Sequence, residues 1–310
     1  MNKVTRLKYY IESLCIYDFE DDDVFSALYD LLCDDEEDTV ALQSYFFKEL
    51  AKSESLKRHI SRLILTNDNI FTKAACAGKV NELSIAVINA VKSDLAKLEE
   101  IASLTAQDIL ADIDDEDIKE ILLTLPGWEV GKPLAPLDSH WDRQLDELIK
   151  YHRENGYGIY AKNIAFTWRD EEITPVNSID PIRLTDLKNY ELQRNKVIDN
   201  TESFIAGHPA NNVLLYGDRG TGKSSTVHAI LNEYWQKGLR MIEIPKSAVA
   251  DLSLIREQIA DSPMKFIIYI DDLSFDSNDT SFSELKAALE GSLSGKQPNT
   301  IIYATSNRRH

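Results

Sequence analysis

At 310 residues, with 43% apolar and 28% charged residues, the chain has an ordinary globular composition and enough length for two cores. It holds no run of 18 uncharged apolar residues, so no membrane-spanning helix is expected, and its N-terminus, MNKVTRLKYYIESLC, lacks the apolar segment and cleavage site of a secretory signal. The net charge of −18 is uneven: residues 1–175 carry 19 Lys and Arg against 35 Asp and Glu, and residues 176–310 carry 15 against 17, which disfavours nucleic acid as a partner of the first part. Three scattered cysteines without a C-x-x-C pair read as reduced thiols in a cytoplasmic protein, and the six histidines show no metal-binding spacing.

Along the chain, Leu7, Tyr10, Ile11 and Leu14 recur at helical spacing, as do Phe25, Leu28, Leu31 and Leu32. The pattern returns at Leu56, Ile60, Leu63 and Ile64, and again at Leu83, Val87, Ile88 and Val91. The acidic runs at 34–38 and 114–117 suit helix starts, where the dipole favours negative charge. Residues 1–125 are therefore expected to form an acidic, all-helical domain, with an acidic face able to dock a basic protein partner. Residues 126–175 are expected to be a linker: it opens with the Pro- and Gly-rich LPGWEVGKPLAP, continues into a helix over 138–154, and carries a strand-like stretch at 159–168 that reads as a connecting segment or a short hairpin.

From 176 onward the pattern alternates between strand and helix. Strands are predicted at 212–216, 240–244, 266–271 and 300–304, and helices at 223–237, 251–261 and 281–292. Short apolar strands separated by helices imply a parallel sheet covered on both faces, an α/β architecture.

Between the first of these strands and the first helix lies GDRGTGKSS, residues 217–225, in which Gly217, Gly220, Gly222, Lys223 and Ser224 match G-x-x-x-x-G-K-[ST]. Glycine permits the positive φ that turns backbone N–H groups inward toward anionic oxygens, so the loop as a whole, with Asp218, Arg219, Thr221 and Ser225, is a phosphate cradle. Lys223 is expected to reach the β- and γ-phosphates of ATP, and the Ser224 hydroxyl to ligate Mg²⁺. The strand FIIYIDD, 266–272, ends in two carboxylates 48 positions after Lys223. Asp271 is expected to hold Mg²⁺ through water and Asp272 to activate the attacking water, because a carboxylate at the C-terminal end of a parallel strand faces the ligand crevice.

A glycine loop, a strand ending in Asp-Asp and a later strand ending in a polar residue together resemble an AAA+ ATPase. DDLSFDSNDTSFSELKAALEGSL, NTIIYATSNRRH and the upstream SIDPIRLTDLKNYELQRNKVIDNTESFIAG resemble an uncharacterised bacterial family of AAA+-type ATP-binding proteins, over about 176–310. The resemblance implies a three-layer P-loop NTPase core at 176–310. It implies that Asn307 is the first sensor, which positions the hydrolytic water, and that Leu187, Lys188, Asn189 and Tyr190 line an adenine pocket. It further implies a homo-oligomer.

The chain departs from that pattern in three ways. Asp272 stands where most AAA+ enzymes have Glu, so slow hydrolysis is expected. The sequence stops three residues after Asn307, so the core is expected to be truncated before its last strand and helical lid, with Arg308 and Arg309 as the remaining candidates to act in trans. No aromatic-hydrophobic-Gly pore loop follows RMIEIP, which leaves polypeptide threading unsupported. Three readings stay open: ATP hydrolysis coupled to conformational change on a protein partner, a nucleotide-binding switch or scaffold with little hydrolysis, and a small-molecule P-loop kinase.

Overall fold

The computed structural model describes residues 1–34, 38–53, 55–176, 178–273 and 299–307. The chain divides into two compact units, Met1–Arg153 and Glu154–His310. The segment expected as a linker, 126–175, is thus shared between two folded bodies. No described helix is long and apolar enough to cross a membrane.

The first unit is helical: α1 (Lys3–Glu12), α2 (Asp23–Cys33), α3 (Thr39–Leu50), α4 (Leu56–Leu65), α5 (Ile70–Ala77), α6 (Ile85–Ile101), α7 (Ala106–Leu110), α8 (Glu116–Leu122) and α9 (Leu145–Asn155). Its core gathers the expected stripes, with Leu7, Phe25, Leu28, Leu31, Leu32, Leu56, Ile60 and Ile64 all buried. On α6 the buried face lies further along than expected, at Val91, Leu95, Leu98 and Ile101, while Leu83, Val87 and Ile88 are only half-buried and Ile85 is solvent-exposed. Side-chain caps set several of the starts. Asp22 accepts the Phe25 N–H at the head of α2, and Asp115 accepts those of Asp117 and Ile118 at the head of α8. The helix expected over 138–154 begins only at Leu145, preceded by a 3₁₀ turn at Trp141–Arg143 that buries Trp141 completely.

The second unit holds α10 (Gly158–Lys162), β1 (Ala165–Arg169), β2 (Glu172–Pro175), α11 (Glu191–Ile205), β3 (Val213–Tyr216), α12 (Lys223–Tyr234), β4 (Leu239–Glu243), α13 (Leu252–Gln258), β5 (Lys265–Ile270) and β6 (Thr300–Ser306). The six strands form one sheet in the order β2-β1-β4-β5-β6-β3, parallel throughout except for the β1–β2 hairpin. All four strands predicted from 212 onward are present within a residue or two, and helices α12 and α13 begin within a residue of where expected but each ends three residues early; the helix predicted at 281–292 lies outside the described residues.

Strand alternation divides the core into two layers. Phe266, Ile268 and Ile270 of β5 pack with Ile302 and Ala304 of β6 and with Leu252 and Ile255 of α13. Ile267 and Tyr269 pack on the other side with Ile301 and Tyr303, and with Val197 and Phe204 of α11 and Val227, Ile230 and Leu231 of α12. The architecture is therefore a mostly parallel α/β sheet with helices on both faces, accompanied by an N-terminal helical region.

Two local features differ from the expectation. The strand-like stretch at 159–168 begins as the helical turn α10, whose Tyr160 packs its ring on Phe166 and Phe266. The strand that follows forms the short hairpin with β2, and the hairpin is not isolated, since β1 pairs in parallel with β4 and widens the sheet by two strands. At the other edge, β3 is only half covered: Leu214 is 56% exposed and Tyr216 67%.

Candidate functional site

The site is assembled where β3, β5 and β6 end and α12 begins. β3 runs into the glycine loop, and Gly217 N–H donates to the Ser306 carbonyl at 3.2 Å, which ties the loop to the end of β6. Gly220 and Gly222 have φ of 77° and 81°, and a Cβ built on either would touch nothing within 4 Å. Conformation and not crowding therefore demands glycine there. Gly222 ends the loop as the N-cap of α12, so the first turn of an α-helix opens onto the loop.

Lys223, the first residue of α12, turns its ammonium back over the loop. Nζ donates to the carbonyls of Gly217 (2.9 Å) and Asp218 (2.8 Å) and to Asn307 Oδ1 (3.0 Å). Ser224 Oγ donates to Asp271 Oδ1 at 2.8 Å. Asn307 Nδ2 in turn donates to Asp272 Oδ1 at 2.6 Å. Lys223, Asn307 and Asp272 thus form one hydrogen-bonded chain and Ser224 and Asp271 another, and Thr305 joins the two by accepting from the Asp272 N–H and donating to Asp271 Oδ1 at one end of the sheet. They line a cleft of about 350 Å³ together with Arg219, Gly220, Gly222 and Ser225.

The two adjacent carboxylates are held differently. Asp271 takes three hydroxyl donors. Burial acts to raise its pKa, but hydrogen bonds from the Thr305, Tyr269 and Ser224 hydroxyls outweigh it and bring the carboxyl below its ordinary value. Tyr269 shows the counterpart: burial, then its bond to Asp271, pushes the phenol well above the ordinary tyrosine range. Asp272 has a φ of 48°, rare for a residue with a side chain, and its N–H donates to Thr305 Oγ1 at 2.9 Å. The strand thus breaks sharply after Asp271, which sends the two carboxylates to different partners.

A second cavity, of about 610 Å³, adjoins the first at Gly222 and Lys223. Leu187, Lys188, Asn189 and Tyr190 form one wall, β3 and the start of the loop another. Asn189 and Tyr190 both take left-handed backbone conformations, with φ of 64° and 55°, and Arg194 Nη1 holds this turn by donating to the carbonyls of Leu187 (2.9 Å) and Asn189 (3.2 Å).

Thr305 and Tyr269 were not singled out from the sequence. The available signal was the Tyr269 hydroxyl inside the apolar strand FIIYI and the Thr305 hydroxyl near the end of IIYATS, which a pattern of burial alone passes over. Arg308 and Arg309 lie outside the described residues.

Residues 161–310 match a family described as "Protein of unknown function (DUF815)". The match covers the second unit almost entirely and leaves the helical unit unmatched. Comparison with curated proteins returned no match.

Proposed function

We propose that the second unit binds ATP with Mg²⁺ at the glycine loop, as an AAA+-type P-loop protein, and hydrolyses it slowly. The observation that carries this reading is the meeting of Lys223, Ser224, Asp271 and Asn307 around one cleft at the head of α12. An anion in that cleft would face the free N–H groups of a helix start and the Lys223 ammonium, the combination that favours polyphosphate. The larger cavity beside it has room for a nucleoside, with Leu187–Tyr190 as the wall against the base.

The donors near the loop fit Mg²⁺, because a serine hydroxyl and a carboxylate are hard oxygen ligands and Mg²⁺ is commonly held by one or two carboxylates together with substrate phosphates. Bound there, the ion would offset charge developing on the transferring phosphoryl. Ser224 would supply a direct oxygen and Asp271 an ionised acceptor. Lys223 would neutralise the terminal phosphates. Asp272 would accept a proton from the attacking water, and Asn307, bonded to both Lys223 and Asp272, would orient that water.

In the wider reading, the nucleotide cycle of this unit changes how the acidic helical unit engages a basic protein partner. One observation favours the quieter alternative of a nucleotide-dependent switch with little turnover. Asp272 and Asn307 are hydrogen-bonded to each other, and Asp has a shorter reach than Glu. Calorimetric titration with ATP-Mg²⁺, paired with a phosphate-release assay, separates the two. Saturable binding that Lys223→Ala abolishes supports the site; binding with no release supports the switch; no binding by the unaltered protein rejects both.

A further inference from the structure

A buried phenol inside an apolar strand needs a reason. Tyr269 is fully buried on β5, on the face that packs against α11 and α12, and its ring meets His228 of α12 edge-on at 5.7 Å. Phenylalanine would fill the same space without a hydroxyl to satisfy. The hydroxyl donates to Asp271 Oδ1 at 2.6 Å, two residues further on. Thr305 Oγ1 of β6 donates to the same oxygen, and Ser224 Oγ of α12 does so at 2.8 Å. Three hydroxyls from three elements thus converge on Oδ1, more than its two lone pairs ordinarily serve. Among the described residues, no side chain donates to Oδ2. The carboxylate is consequently fixed in rotation, with Oδ1 engaged by all three hydroxyls.

We propose that Tyr269 is a positioning residue which, with Thr305, pins Oδ1 of Asp271 so that Oδ2 is the oxygen presented to the hydrated Mg²⁺ of a bound nucleotide. The inference rests on the nucleotide reading above and adds a residue to it. Ser224 belongs to the loop helix, whereas Tyr269 and Thr305 hold from the sheet, so the aim of Asp271 is set before any ligand arrives. Partners of metal-associated side chains act by fixing orientation, and their loss weakens metal affinity while sparing the rest of the site.

The test measures binding of a fluorescent ATP analogue to the full chain across a Mg²⁺ series and in EDTA. Tyr269→Phe should raise the Mg²⁺ concentration for half-maximal binding by roughly tenfold, with affinity in EDTA unchanged. In an Asp271→Asn background the same substitution should have no further effect, because its route of action is gone. Thr305→Val should behave like Tyr269→Phe and Thr305→Ser should restore the unaltered response; this pair carries the test if the Tyr269 variant fails to fold. Unchanged Mg²⁺ dependence in the variants overturns the inference and leaves nucleotide binding standing. So does an equal loss with and without Mg²⁺, which marks a packing defect. If the unaltered protein binds no nucleotide under either condition, the nucleotide reading fails and this inference falls with it.

Discussion

Asp271 and Asp272 are chemically identical neighbours, yet the structure gives them unlike work. Asp271 receives three hydroxyl donors, while Asp272 sits on a left-handed backbone and takes the Asn307 amide. Because the hydrogen bonds hold the Asp271 pKa below its ordinary 3.8, the group stays ionised throughout the neutral and mildly acidic range. Mg²⁺-dependent nucleotide binding should therefore show no loss attributable to Asp271 from about pH 8 down to about pH 5, measured as the difference in affinity with and without EDTA. Asp272, by contrast, has its hydrogen bonds with Thr305 and Asn307, and none to the loop or to Ser224 among the described residues. Asp272→Asn should leave ATP affinity within about twofold and lower phosphate release by a factor on the order of 10² or more, the usual worth of a general base. Lost binding in that variant would refute the base assignment. The carboxylates and the glycine loop were legible in the sequence because their chemistry requires particular residue types at particular spacing. Tyr269 was not, because a buried tyrosine in an apolar strand differs from phenylalanine only in where one hydroxyl points.

At the scale of elements, each unit has a polar group that fastens one segment to another. In the first unit Asp94 of α6 is fully buried, and its Oδ2 accepts the N–H groups of Cys15 (2.9 Å), Ile16 (2.7 Å) and Tyr17 (3.3 Å). Removing it takes the acceptor from three backbone donors, of which that of Tyr17 is buried. Asp94→Ala should cost about 3 kcal/mol or more, with Asp94→Asn costing less because its amide oxygen still accepts; urea unfolding followed by helical circular dichroism reads both. Asp22 joins three segments: it caps α2, and it meets Nε2 of His59 on α4, whose Nδ1 is within 2.8 Å of Ser53 Oγ. Burial opposes ionisation of Asp22, but the bonds from His59 and the Phe25 N–H prevail and lower its pKa. The sign follows from that depression. Its stabilising contribution is present above the unfolded carboxylate value of about 3.9 and is lost as pH falls through the lower folded value. The acid transition of the first unit should accordingly move to higher pH in Asp22→Asn, followed by circular dichroism. In the second unit, helix α12 and strands β3 to β6 were legible because period and apolar runs are local signals. The short hairpin at β1–β2 was one of the two readings that the sequence allowed, but its parallel pairing with β4 was not legible, because β4 lies some 75 positions away and parallel pairing leaves no mark on either strand taken alone.

The molecule as a whole comprises two units with separate cores, and only the second bears the proposed site. A ligand that binds one folded unit stabilises that unit by mass action. ATP-Mg²⁺ at 100 times its dissociation constant should add about 2.7 kcal/mol to the second unit. Hydrogen exchange should then slow in β5, β6 and α12 beyond any change in α2 and α6; uniform protection, or none, would speak against a site confined to the second unit.

Residue type and spacing alone determined that this chain carries a glycine loop suited to phosphate, two carboxylates at a strand end, an alternating α/β region and an acidic helical one. Those features follow from backbone freedom, charge and periodicity, which are properties of short stretches. Only the tertiary structure decided that Asn307 meets Lys223 and Asp272, that Tyr269 and Thr305 share one oxygen of Asp271, and that residues 165–175 complete the sheet. Each of those is a contact between distant segments, and a contact exists only once the apolar faces of both have chosen the same core.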